Sequence, residues 1–143
     1  MTATLQGVVV SGPDATGRRR FHMRFYEADW NAVSTGMGGA VVFTRSLRAY
    51  GRWIRITKIT MRILGANAGV TVGSIQMFDT SPMMAYEDER TTATANDSLI
   101  WADVDAIADL DACASATIGF GPTAISGYAA TDDYYMLIDG EVW

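Results

Sequence analysis

Few side chains in this chain of 143 residues could do chemistry, and their spacing limits what that chemistry could be. Four carboxylates, Asp103, Asp105, Asp109 and Asp111, crowd into nine positions. Hard oxygen ligands at that density suit calcium. The twelve-residue calcium loop also needs a central glycine and a late bidentate glutamate, and this run has neither. On a strand the four acids would share one face, with Ala102, Val104, Ala106, Ala108 and Leu110 on the other. The run reads either as a metal candidate or as an acidic surface, solvated or meeting basic strands of a neighbour. A helix turning Trp101, Val104, Ala108 and Leu110 inward is the competing local reading.

The classes that need a base or a nucleophile find little support. His22 is the one histidine and Cys113 the one cysteine, and they stand far apart in the chain. Arg20 and Arg24 flank His22 at two-residue spacing, which favours its neutral form, and the sequence places no carboxylate beside it. His22 is therefore expected as a surface or interface side chain. A lone cysteine forms no internal disulfide, so folding does not depend on an oxidising compartment. Gly12 and Gly17 have the spacing of a phosphate loop, but Arg18 and Arg19 stand where lysine and serine or threonine are needed. Asp79-Thr-Ser lacks the glycine and the second copy of an aspartic-protease triplet, and plentiful acids are not the placed pair a glycosidase needs. Asn96-Asp-Ser98 matches a glycosylation sequon, with no secretion signal to accompany it. No catalytic residue, cofactor or enzyme activity is expected.

What organises the chain is a period of two. From Arg52 to Leu64, Ile54 and Ile56 fall on one face, and a slip near Thr57 and Lys58 brings Ile59, Met61 and Ile63 onto the same face. That pattern predicts a central strand with a β-bulge, its other face carrying Arg55, Lys58 and Arg62. Arg18 to Ala28 repeats it, with Phe21, Met23 and Phe25 opposite Arg20, His22 and Arg24. Further strands are expected over Thr4–Val10, Ala40–Leu47, Val70–Asp79 with a bulge at Gly73, Ala114–Gly121, and Tyr134–Ile138 turned at Asp139-Gly140. Asp29–Gly39, holding Trp30, and Pro122–Asp133 read as loops. Residues 80–98 read as a long interaction loop with adaptable contacts at Met83, Met84 and Tyr86. Residues 141–143 read as a C-terminal anchor through Trp143. About eight short strands without a long helix or repeat indicate an all-β fold. The expectation is one domain over 1–143, a β-sandwich of jelly-roll or Greek-key connection with long loops, a partly closed barrel being the alternative.

Charge is split along the chain. Through Gly65 there are ten lysines and arginines against three acids, whereas from Ala66 onward Arg90 alone faces thirteen, for a net charge of −5. Such a split makes a dipole able to join copies basic side to acidic side, unless strands from the two halves interleave and cancel it. Hydrophobic residues reach 49% and charged ones 19%, against about 25% charged in an ordinary soluble protein. That surplus suits a subunit better than a monomer with all its surface wet. No run is long and apolar enough for a membrane span, and a mature soluble chain is expected. The basic strands, through Arg18, Arg20, Arg24, Arg55 and Arg62, would meet an acidic partner, and Met83, Met84, Tyr86 and Trp143 would reach neighbours. The negative total argues against nucleic acid.

In general character the chain resembles the small all-β accessory proteins of tailed bacteriophage virions, such as capsid decoration or cement proteins. The features are a short Ala-, Gly- and Thr-rich chain, alternating strands such as Arg20-Phe-His-Met-Arg-Phe-Tyr26, a methionine-rich loop and an apolar C-terminus. The resemblance implies many copies on a protein lattice such as a major capsid protein, assembled in a virion after synthesis in the host cytoplasm, without cofactor or catalysis. Association with its own copies, as a trimer, accompanies that reading. The alternative is a carbohydrate-binding sandwich, which needs two or more of Trp30, Trp53, Trp101 and Tyr128 on one open face.

Overall fold

The computed structural model of the chain describes residues 4–27, 41–43, 45–65, 69–73, 75–78, 82–86, 90–102, 106–112, 118–122, 125–127 and 133–143. Its elements are β1 (Thr4–Val10), β2 (Arg19–Glu27), β3 (Val41–Phe43), a 3-10 turn (Arg45–Ala49), β4 (Trp53–Leu64), β5 (Thr71–Val72), β6 (Ile75–Phe78) and β7 (Pro82–Tyr86). They continue with β8 (Arg90–Thr91), β9 (Ser98–Trp101), β10 (Ala106–Asp109), β11 (Ile118–Pro122), β12 (Ile125–Ser126) and β13 (Asp133–Val142). The fold is an all-β sandwich, as the alternation predicts. A six-stranded antiparallel sheet runs β1-β2-β13-β4-β10, with β9 also paired to β4. Two smaller sheets have the orders β3-β11-β6-β7 and β12-β5-β8. β13, last in the chain, lies between β2 and β4, a long-range return of the Greek-key kind.

Alternating sequence becomes a two-faced sheet because successive side chains leave a strand on opposite sides. Phe21, Met23 and Phe25 of β2, Ile54, Ile56, Ile59, Met61 and Ile63 of β4, and Tyr134, Met136, Ile138 and Val142 of β13 are all buried. Leu99 and Trp101 of β9 join them, and Leu47, Val70 and Val72 complete the same core from outside the sheet. Each buried large side chain contributes about 1.5–3 kcal/mol relative to leaving it in water.

The bulge falls where the slip in β4 predicts it. Asp139 opposes Lys58 and Gly140 opposes Ile56, leaving Thr57 as the extra residue. The Thr57 hydroxyl donates to the Asp139 carbonyl at 3.3 Å. β9 runs beside β4 from Arg62 to Ile59 and β10 from Ile56 to Trp53, so the two strands occupy one lane and change over at the bulge.

Several expectations need correction. Asp139-Gly140 is no turn: β13 continues through it, because Gly140 is where β13 meets the bulged backbone of β4. The predicted strand over Val70–Asp79 is two strands, Thr71–Val72 and Ile75–Phe78, in different sheets. Among the described residues of Ala40–Leu47, Val41–Phe43 is strand and Arg45–Ala49 is a 3-10 turn that delivers Leu47 to the core. The stretch 80–98 is not one loop. Met83, Met84 and Tyr86 lie in β7, which pairs with β6, and Arg90 and Thr91 form β8, which pairs with β5. A Pro-Met-Met-Ala-Tyr segment can join a sheet at its margin, where a missing proline N–H is tolerated. β12 interrupts the loop over Pro122–Asp133. Trp101 and Ala106–Asp109 are strand, so no helix forms at these described residues. Among the described residues the strands number thirteen, several of them only two to five residues long. The loop over Asp29–Gly39 with Trp30, and Asp103, Asp105, Cys113 and Tyr128, lie outside the described residues.

Candidate functional site

The outward face of the six-stranded sheet gathers most of the polar residues singled out above. β13 forms its middle row with Asp133, Tyr135, Leu137, Asp139 and Glu141, all half-buried. Arg20, His22, Arg24 and Tyr26 of β2 stand on one side, and Arg55, Lys58 and Arg62 of β4 on the other. An acidic row from the second half of the chain thus sits between two basic rows from the first. On this face, strands from the two halves of the chain interleave, so their charges alternate here instead of separating.

Some of those charges are satisfied within the sheet. His22 Nδ1 lies 2.7 Å from Asp139 Oδ1, and the Arg18 guanidinium donates to Glu141 Oε2 at 3.3 Å. The Tyr26 hydroxyl donates to Asp133 Oδ2 at 2.9 Å, and its ring lies 4.9 Å from that of Tyr135. The carboxylate that the sequence does not place beside His22 is therefore present, brought by a strand 117 residues away. Exposed pairs of this kind contribute about 0–1 kcal/mol each, so they set register more than stability.

Four cations on the face make no ion pair among the described residues: Arg20, Arg24, Lys58 and Arg62. The Arg24 guanidinium lies 5.5 Å from the Tyr135 ring centre, within cation–π range. Arg24, Arg62, Tyr135 and Leu137 line an open hollow of about 220 Å³. A second hollow, of about 360 Å³, is bounded by Arg20, Thr57, Asp139, Gly140 and Glu141. Both are open dishes on a sheet rather than clefts that exclude water. Nothing in them pairs a nucleophile with a base.

Two of the expected contact residues are used differently. Trp143 exchanges backbone hydrogen bonds with Trp53 at 3.0 and 2.9 Å, and its carbonyl also accepts from Arg52 N–H at 2.9 Å. Its ring carries the Arg18 guanidinium 4.2 Å away. The predicted anchor over 141–143 is thus built into the sheet, since Val142 is buried and Glu141 holds Arg18.

The acidic run is resolved the same way. Arg52 reaches both carboxylate oxygens of Asp109, at 2.9 and 2.7 Å, and Arg48 both of Asp111, at 2.7 and 3.2 Å. The hydrogen bond from Arg52 holds the Asp109 carboxyl below the usual aspartate range, and that from Arg48 does the same for Asp111. The two guanidiniums are correspondingly held above the usual arginine value. Carboxylates occupied by bidentate arginines are poor cation ligands. Among the described residues no group of three histidine, cysteine or acidic side chains is placed to hold a metal ion. Asp103 and Asp105, the other half of that run, lie outside the described residues.

Of the four rings a sugar binder would draw on, Trp30 and Tyr128 lie outside the described residues. Trp101 is buried, and Trp53, 38% exposed with Arg52 5.3 Å from its ring, is open to solvent. No helix among the described residues is long and apolar enough to cross a membrane.

No protein-family model matches the sequence, and no curated protein matches it. Solved structures give distant likenesses of fold. A Nora virus structure aligns with 96% of this chain and 64% of its own, at 7% identity and a TM-score of 0.39, so the chain spans just under two thirds of that length. A low-affinity xylan-binding module from Roseburia intestinalis aligns over 96% and 87%, at 7% identity and a TM-score of 0.30. A bsmA homologue from Methylobium petroleophilum aligns over 86% and 41%, at 9% identity and a TM-score of 0.28.

Proposed function

We propose that this chain is a non-enzymatic assembly protein whose outer sheet face docks on an acidic protein surface, in the manner of a virion decoration or cement protein. The observation that carries the reading is a set of cations that make no ion pair among the described residues, Arg24 and Arg62 beside Tyr135 and Leu137 in one open hollow, with Arg20 and Lys58 further along the same face opposite Glu141 and Asp139. Aromatic and arginine anchors supply most of the affinity of protein interfaces, while rim charges set register and encounter rate. The lattice itself, through a subunit such as a major capsid protein, is the partner this chemistry suits.

The test is the mass of the native particle containing the chain, measured by sedimentation, with wild type beside Arg24→Ala/Arg62→Ala. Co-sedimentation with a large assembly at low salt, lost in the double variant and weakened at about 1 M salt where the Debye length is about 3 Å, is the expected result. A wild-type chain that sediments free at every salt concentration, or a variant that co-sediments as well as wild type, overturns it.

A further inference from the structure

The basic face is not the only part of the sheet left open. β1 is a margin of the six-stranded sheet, and among the described residues it pairs with β2 alone. Its sequence, Thr-Leu-Gln-Gly-Val-Val-Val, has no charge and no proline, the two devices by which sheet margins commonly block unwanted pairing. Val9 is 68% exposed and Gln6 and Gly7 are also open, so nothing in the described structure covers this side.

The register shows which backbone groups are left over. Ser11 N–H donates to the Arg20 carbonyl at 2.9 Å and Arg20 N–H to Ser11 Oγ at 3.0 Å, so at this position the backbone groups of the two strands face each other. Hydrogen-bonded and non-hydrogen-bonded pairs alternate along an antiparallel ladder. Val9 opposite His22 is then hydrogen-bonded, while Val8 opposite Met23 and Val10 opposite Phe21 are not. Val8 and Val10 therefore aim their N–H and C=O groups away from β2, toward the open margin.

We infer that this margin pairs with β1 of a second copy, antiparallel about a two-fold axis at Val9. In that register Val8 meets Val10 of the other copy and Val10 meets its Val8, so all four outward groups on each side find partners. Val9 opposes Val9 as a non-hydrogen-bonded pair on the outer face, where Cβ atoms lie about 4.5–5.5 Å apart. Val8 and Val10, already packed against the core, extend it across the junction.

Charge favours a second copy over an acidic strand. The lane itself is neutral, and the nearest cations, on β2, would be separated from their counterparts by three strand spacings, about 14 Å. That exceeds the screening length of about 8 Å at physiological salt, so the two basic rows barely repel. The contact is small, and the dimer is expected to be weak and concentration-dependent. The inference does not rest on the docking reading: that reading uses outward side chains of β2, β13 and β4, and this one the outward backbone groups of β1.

The experiment uses the full chain with Cys113→Ser, adding Val9→Cys in one variant and Ile107→Cys in another. Ile107 is an exposed control on the far side of the sheet. Under mild oxidation Val9→Cys should become a disulfide dimer at least tenfold faster than Ile107→Cys, and a light-scattering mass that rises with concentration in the parent should stay monomeric in Val9→Lys. Circular dichroism of Val9→Lys checks that the fold is kept, as expected for so exposed a position. Equal rates for the two cysteine variants, or a parent that stays monomeric up to millimolar concentration, overturn the inference.

Discussion

Replacing Gly140 by alanine tests whether the bulge and the close approach of β13 to β4 are as described. A Cβ at that position would fall on the Arg55 carbonyl oxygen and stand 2.8 Å from Phe21 Cζ. Neither neighbour can yield cheaply. The carbonyl belongs to a strand bonded on both sides, by β13 and β10, and Phe21 is buried. Overpacking of this kind costs about 1–3 kcal/mol, and a fixed backbone obstacle places it near the upper end. Against this, alanine lowers the entropy of the unfolded chain, a gain of about 0.4–1 kcal/mol. The net loss is about 2 kcal/mol, or a fall in Tm of roughly 6 °C for a chain of this size. Thermal unfolding by calorimetry and urea titration would read it, the midpoint falling with the slope unchanged. Gly12→Ala is the control, since no atom lies within 4 Å of a Cβ there. A Gly140→Ala protein melting within 1 °C of wild type would refute the geometry of the bulge.

Two further outcomes follow from the same contacts. Deleting Val142 and Trp143 removes a fully buried valine and the backbone exchange with Trp53, so it should cost about 3 kcal/mol by thermal melting and weaken the fold itself, not only assembly. The Arg48→Gln/Arg52→Gln pair addresses acid stability. A carboxyl depressed by folding stabilises fully above its unfolded value of about 4 and loses that contribution as pH falls through the lower folded value. The wild-type melting temperature should therefore fall below pH 4 more steeply than that of the double variant, with carbon-13 titration midpoints of Asp109 and Asp111 below the ordinary aspartate range. Equal slopes would show that these bonds do not persist in solution.

The strands with strict alternation were legible in the sequence. β1 matches its expected bounds, β2 lies within a residue of them, and the bulge at Thr57 follows from the slip between Ile56 and Ile59. What misled were local signals with a tertiary cause. Asp139-Gly140 has the composition of a turn, but its glycine answers a neighbouring carbonyl that only strand pairing brings near. The Thr80–Ser98 stretch lacks clean periodicity because its short strands belong to different sheets. The basic rows of the candidate face could be read from spacing alone, whereas the acidic row between them could not. Asp139 meets His22, and Glu141 meets Arg18, through the position of β13, a property of topology and not of local pattern.

The place of β13 also governs the order in which the molecule can be completed. β2 and β4 leave the ribosome more than sixty residues before the strand that joins them, so each waits with an unmatched side and a greasy surface. Contacts this distant in sequence are slow to close. The nascent chain is thus most vulnerable to mispairing in the interval before residues 133–142 emerge, and a chaperone that shields β2 and β4 during that interval would raise the yield of folded protein more than one acting later.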